Sequence, residues 1–593
     1  MSFGGGIVAD LGGSVPANVR SPADDLSIKP SLRFLFWFLA GVLGFLQAWA
    51  HRNEMQSDGV SYIEIAKNGG AHFVNGYWSP LYPFLLRLSF RIFHPSLFWE
   101  ATSVHLTNFV IYLANLACFE VFLKELMRTR NSWAATQSEQ PFVSAQTVWI
   151  WGYVFFLWAA RYWVTTGWVT PDLCVAGIVY LIMATMLRIH RDAGSWLTFA
   201  SLGALLGLGY LAKTPMFLLA FVFLACAAFL VPSFKKAVPL LITALLFFFL
   251  LAVPLVFSLS KAKGRLTFGD SGKINYAEFV NGVPKYVHWH GEPSGTGVPV
   301  HAERQIFPTP PMYEFAEPIQ GSYPPWYDPA YWYEGIRPHF AIKGQLLAIY
   351  RTTSSYLRIV SVTGTLYAVF LTLLALSKRS QFKFAGLTGE EVCWPVRIPA
   401  LAALTMYAFV HVEPRFVGGF LLTALMCVLV RVRASPSAGG NGGTSLPAFA
   451  SMIVLAPALA IAWPAVRDFS RIIGPEPFEQ WQVARGLRDR GVSPGNTVGY
   501  IGTGLDAYWA HLAQVRIVAE IPESGLASFV QADREKKGQL MGKFRELGVK
   551  AVLTKYPDVA ASMEGWSRIA GSRYFLWASP AGGPHLSEAR MTQ

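Results

Sequence analysis

Apolar residues in this chain gather into long unbroken runs, not into the short alternating patterns of a soluble core. Runs of spanning length cover 31–50, 99–123, 146–163, 172–188, 196–212, 215–233, 238–259, 355–377, 394–411, 416–432 and 446–466. Because about 20 apolar residues cross the hydrocarbon as a helix, the pattern predicts about eleven spans. The stretch 80–94, beginning PLYPFLLRLSFRIF, is apolar but carries Arg87 and Arg91. That mixture predicts a helix lying in the membrane interface. Residues 56–70, QSDGVSYIEIAKNGG, read as a short amphipathic helix just beyond the first run.

The pattern changes after residue 470. EQWQVARGLRDRG and KGQLMGKFRELG have helical spacing, whereas TVGYIG, VRIVAEI and VKAVLT read as strands. Strands alternating with helices predict a small α/β domain over 470–593. Residues 1–30 have no basic segment ahead of an apolar one, so they read as a disordered tail before an uncleaved anchor. The expected architecture is mainly α: a polytopic membrane bundle over 31–467 with external loops 51–98 and 260–350. The second loop, with YPPWYDPAYWYEG at 323–335, is too aromatic for a linker and is expected to fold against the membrane surface.

Composition agrees. The chain is 53% hydrophobic and only 14% charged, against about 25% charged in soluble domains. Its formal net charge of +13 does not form a basic stripe with interleaved aromatics, which argues against nucleic acid. Lys124, Arg128 and Arg130, then Arg188 and Arg191, Lys235 and Lys236, Lys378, Arg379 and Lys383, and Arg431 and Arg433 instead mark alternate loops. With the N-terminus inside, every one of these loops is cytoplasmic, as the positive-inside rule requires. The five cysteines (Cys118, Cys174, Cys226, Cys393 and Cys427) lie in or beside apolar runs and form no redox or metal motif.

That orientation collects the polar residues hardest to explain structurally on the outer side. Asp58 either caps its helix or faces a reaction, with Tyr62 one turn on, His72 beyond, and Tyr77 in NGYWSPLYP. Asp172 follows Thr170 and Pro171 at a helix start, where an acid also suits the dipole. Lys213 in AKTP, followed by Thr214 and Pro215, and Arg415 in EPRF, just after a proline, each stand at the start of a helix, an arrangement suited to a phosphate. His411 and Glu413 flank Arg415. His288, His290 and His301 read as surface histidines. The G-x-G-x-x-A match at Gly502, Gly504 and Ala507, with Glu520 beyond, reads as a tight turn.

These residues resemble a known group. An acid in the first external loop ahead of NGYWSPLYPFLL, a second acid after the third span, and HVEPRFVGGFLL in a late span are similar to GT-C integral-membrane glycosyltransferases, the protein O-mannosyltransferase and aminoarabinose-transferase group. Phe416 stands where tyrosine is usual, and Gly59 follows Asp58 where many relatives have glutamate. The resemblance covers about residues 30–430. It implies a polyprenyl-phosphate-linked sugar as donor, a glycan, lipid or protein acceptor, and reaction outside the bacterial inner membrane. It further implies Asp58 and Asp172 at the reaction centre, Lys213 and Arg415 near the donor phosphate, and Tyr62, His72, Tyr77, His411 and Glu413 around the substrate. A requirement for Mg2+ or Mn2+ stays open. The alternative is a transporter or scaffold for lipid-linked saccharides. Transporters often show repeated halves and mid-membrane acids, whereas here no repeat is seen and the charges cluster at one interface.

Overall fold

The computed structural model describes residues 28–136, 144–283, 304–315, 321–327, 336–378, 382–384, 393–434, 445–474 and 478–578. Most of the N-terminal tail, the histidines at 288, 290 and 301, and residues 328–335 of the aromatic loop lie outside these ranges. The first part of the chain is helical: α1 (Pro30–Ala50), α2 (Ser57–Asn68), α3 (Leu81–Phe93), α4 (Glu100–Thr136), α5 (Ala145–Tyr162), α6 (Asp172–Arg191), α7 (Trp196–Ala212), α8 (Pro215–Leu230) and α9 (Phe234–Lys263). Short helices α10 (Ser271–Phe279) and α11 (Pro324–Tyr327) follow, then α12 (Ile342–Ser361), α13 (Thr365–Lys378), α14 (Trp394–Ala408), α15 (Pro414–Leu429) and α16 (Ser445–Ile473).

Every predicted span is helical. Among the described residues, six helical stretches are long and apolar enough to cross a membrane, one of them, Ile342–Thr372, made of α12 and the start of α13, and α7, α8 and α15 are shorter apolar helices. α9 illustrates the lipid-facing surface: Ile242, Leu246, Leu250, Val253 and Phe257 form an exposed apolar stripe, while Ala244, Phe248 and Ala252 are buried. In water such a stripe would be a liability; in hydrocarbon it is at home. α7 packs close against α9 because Gly203 and Gly207 leave room, a Cβ at Gly203 falling 1.9 Å from the Ala244 carbonyl oxygen. Small residues four apart permit this approach in membranes.

One expectation needs correction. The run 355–377 is not one helix: α12 begins at Ile342, and the chain breaks at Thr363, whose φ is +59°, before α13 starts. The helix stops there because Thr363 and Gly364 both turn left-handed.

Basic residues from two of the basic loops meet at one end of the bundle. Arg128 of one and Arg188 and Arg191 of another all pair with Glu125. Strands β3 (Phe382–Phe384) and β4 (Val432–Ala434) join two others, with Lys383 opposite Arg433 in register.

At the opposite end stands a seven-stranded sheet. Two strands come from the loop between α10 and α12, β1 (Arg304–Phe307) and β2 (Met312–Glu314). The rest are β5 (Thr497–Ile501), β6 (Arg516–Ile521), β7 (Ala551–Thr554), β8 (Trp566–Arg568) and β9 (Phe575–Ala578), in the order β1-β2-β6-β5-β7-β9-β8. β5 runs parallel to β6 and β7, and β2 pairs antiparallel with β6. Helices α17 (Glu479–Arg488), α18 (Tyr508–Ala513), α19 (Leu526–Gln531), α20 (Arg534–Glu546) and α21 (Pro557–Ala561) accompany the sheet. The Tyr323 hydroxyl donates to Glu520 at 2.8 Å, and Glu520 also accepts from the Gly504 amide at 3.3 Å. Gly502 takes φ +128° in the turn after β5. The loop and the C-terminal region are thus stitched together.

Candidate active site

The starts of four helices, α2, α6, α8 and α15, meet at the end of the bundle nearest the sheet and line a cavity of about 850 Å³. Proline sets three of these starts. Pro171 is the N-cap of α6, and Pro215 and Pro414 occupy the first turns of α8 and α15. At a first turn the missing N–H costs nothing and the fixed φ is already helical. The residue before proline is driven to extended backbone, which Glu413 adopts at φ −124°, ψ 154°. Lys213, at the end of α7 and two residues before Pro215, is extended, whereas Thr214 between them is helical at φ −48°, ψ −41°. Short turns between packed helices thus hold each charged side chain at the cavity.

Asp58 does not cap α2. Gln56 is the N-cap residue, and its side-chain amide bridges to Gly167 and Val169 in the segment between α5 and α6. Gly59 follows because that segment presses on it: a Cβ there would lie 2.9 Å from Val169 Cβ and 2.5 Å from Met55 Sδ. A glutamate next to Asp58 would not fit.

The charged groups form one network. Lys213 Nζ lies 2.5 Å from Asp172 Oδ1. The Arg415 guanidinium lies 2.6 Å from Glu413, 3.7 Å from Asp172 and 3.6 Å from Asp58. Phe416 serves both cations, with Lys213 Nζ 3.6 Å and Arg415 Cζ 5.2 Å from its ring centre; such contacts favour a desolvated cation. Trp168 flanks Arg415 at 5.0 Å. His411 stacks on Phe279 at 3.9 Å and meets Glu413 at 3.2 Å. Burial alone would raise the Glu413 carboxyl, but His411 and Arg415 hold it down at about 2. Asp172 is almost fully buried, and its Oδ2 accepts no hydrogen bond.

Tyr62 and Tyr77 also line the cavity, against Trp78. Burial, reinforced by Asp58 and Asp172, pushes the Tyr62 phenol well above its ordinary range, so it stays protonated. His72 is not brought in: it sits in a short turn past the far end of α2, outside the cavity wall. The sequence reading missed the segment after α9, which supplies Arg265, Asp270, Lys273, Asn275 and Phe279 to the cavity. Arg265 pairs with the buried Asp270, whose amide donates to the Gly76 carbonyl at 2.6 Å. The legible signal was a cluster of charges directly after a span, on the face where the other candidates lie.

For a metal ion the fit is poor. Among the described residues no group of three or more His, Cys, Asp and Glu side chains is placed to hold one. Asp58, Asp172 and Glu413 each lie beside a cation instead. No step below is routed through Mg2+ or Mn2+.

Fold and cavity together define a polytopic membrane protein with a charge-lined chamber. No protein-family model and no curated protein matches the chain. Among solved structures it is similar to ArnT from Cupriavidus metallidurans bound to undecaprenyl phosphate, at 11% identity and a TM-score of 0.54, covering 94% of this chain and 99% of that one. The apo state of ArnT gives 11% identity and a TM-score of 0.50 over the same shares. The Archaeoglobus fulgidus oligosaccharyltransferase in complex with Zn and sulfate gives 13% identity and a TM-score of 0.44, over 86% of this chain and 67% of that one. At these identities the likeness to ArnT is one of fold, and the GT-C fold is the fold observed.

Proposed function

We propose that the protein is a membrane glycosyltransferase that moves a sugar from a polyprenyl-phosphate donor to an acceptor hydroxyl. The observation that carries this reading is the gathering of Asp58, Asp172, Lys213 and Arg415, from four separate elements, around one cavity. The ArnT fold, seen with undecaprenyl phosphate in that protein, supports the donor class. The setting is the outer side of a bacterial inner membrane, where the basic loops leave the cavity facing away from the cytoplasm.

In this mechanism Asp58 accepts the proton of the acceptor hydroxyl. The oxygen attacks the anomeric carbon from the face opposite the phosphate, the C–O bond to phosphate breaks, and configuration inverts. The departing phosphate dianion meets Lys213 and Arg415 at helix starts, where fixed charges and amides stabilise it without reorganising. Phosphate leaves readily, so no strong general acid is needed. Asp172 and Glu413 act as counter-ions that aim the two cations. Tyr62 and Tyr77 wall the sugar site, and His411 acts through Glu413.

The test is direct: purified protein is incubated with radiolabelled polyprenyl-phosphate sugars and a membrane extract. Label is expected to pass to an acceptor with wild type and not with Asp58→Asn. Failure of every such donor to release its sugar to the extract would overturn the proposal.

A further inference from the structure

α2, the helix carrying Asp58, is buried along nearly its whole length, from Gly59 to Ala66. Its far face is gripped by the external domain. His511, on α18, is buried between two carboxylates, with Nδ1 3.2 Å from Glu64 of α2 and Nε2 2.7 Å from Glu100 at the start of α4. Both ring nitrogens face acceptors, so only the imidazolium can donate to both. Lys67 of α2 pairs with Glu100 as well, and Tyr508 beside His511 donates to Glu100 at 3.4 Å. The loop that feeds the sheet adds a second grip, the Ser322 amide donating to Glu64 at 2.9 Å. Arg87 of α3 closes the end of α2 by donating to the carbonyls of Ala66 and Lys67.

Among the described residues the charged partners of α2 on this side thus come from different parts of the chain, His511 being supplied by the C-terminal region. A cation buried between two acids in low dielectric is worth much more than the same pair on a surface, and removing it leaves both acids buried and less compensated. A small rotation of α2 would carry Asp58 away from Arg415, and misplacement of about 1 Å commonly costs about 100-fold in rate.

We propose that His511 is a positioning residue: through the Glu64–His511–Glu100 lock, the external domain sets the placement of α2 and hence of Asp58. The effect on turnover rests on the reading of Asp58 as the base; the lock itself does not.

The test uses the full chain in lipid nanodiscs and compares wild type, His511→Gln and His511→Arg. Gln keeps a donor but loses the charge, whereas Arg keeps the charge and two donors. Amide hydrogen exchange over 57–68 is expected to rise about tenfold or more in His511→Gln and to return most of the way in His511→Arg. With a polyprenyl-phosphate sugar that wild type uses, kcat should fall about tenfold in His511→Gln with KM held within about twofold, as for a group acting on placement in the transition state. Exchange over 57–68 in His511→Gln within about twofold of wild type would overturn the lock. An exchange effect with no transfer by wild type from any such donor would support the lock and sink the glycosyltransferase reading.

Discussion

Lys213 and Asp172 close a 2.5 Å ion pair between the end of α7 and the start of α6, and the same carboxyl lies 3.7 Å from Arg415. The pair is deeply placed, with side-chain exposures of 19% and 3%. Removing one member of such a pair strands a charge, which typically costs about 3–5 kcal/mol, while removing both is far milder. Lys213→Met should therefore lower the thermal unfolding midpoint markedly, and Lys213→Met with Asp172→Asn should restore most of it without restoring transfer. A double variant as unstable as the single would break the assignment.

Asp58 has a lighter structural duty. It does not cap α2, and its pairing with Arg415 at 3.6 Å is partly exposed, so the pair contributes about 1 kcal/mol or less. Asp58→Asn should leave the unfolding midpoint nearly unchanged while transfer falls by about 10²–10⁴-fold, the usual weight of a general base. Turnover close to wild type in that variant would remove Asp58 from the chemistry.

Arg415 offers two roles that can be separated. Arg415→Ala should weaken undecaprenyl phosphate binding by about tenfold or more, equivalent to about 1.4 kcal/mol. Arg415→Lys should recover part of this, since it keeps the charge but loses the planar fork. Titration of each variant with undecaprenyl phosphate in nanodiscs gives the affinities. Equal affinity in all three proteins would place the phosphate elsewhere.

The lock at His511 predicts an alkaline limit. Burial lowers the imidazole, but Glu100 and Glu64 outweigh it and raise the group to about 9 from an ordinary 6.5. A folded-state value above the unfolded one stabilises fully below the lower figure and fades as pH climbs through the higher. The unfolding midpoint should thus decline between pH 6.5 and 9 in wild type and decline less in His511→Gln. Identical pH profiles for the two would count against a buried imidazolium.

Much of the bundle was legible because lipid imposes a length on each apolar run, and the starts of α6, α8 and α15 were legible because proline marks them. Asp172, Lys213 and Arg415 were found by their place next to those starts, and Asp58 by its place just beyond the first apolar run. What stayed hidden depended on contacts between distant segments. Gln56, rather than Asp58, takes the N-cap position because its amide has partners at Gly167 and Val169, which no local pattern reveals. The break at Thr363 lies inside an apolar run, where hydropathy is blind to φ. Arg265 and Asp270 were overlooked because the aromatic character of the loop beyond them dominated its reading. His511 sits in AYWAHLAQ, which looks like an ordinary short helix until Glu64 and Glu100 are placed beside it.

The two strands that the loop before α12 lends to the sheet bear on how the chain is made. β2 covers the flank of β6, and a fragment beginning near residue 478 would bare that flank as an open row of amides and carbonyls, a ready template for aggregation. On the ribosome the same pairing must wait: β2 emerges early, and its partner arrives only after the helices from Ile342 to Ile473 have been threaded into the bilayer. The sheet therefore matures last, which makes the grip of His511 on the helix that carries Asp58 a late event in biogenesis.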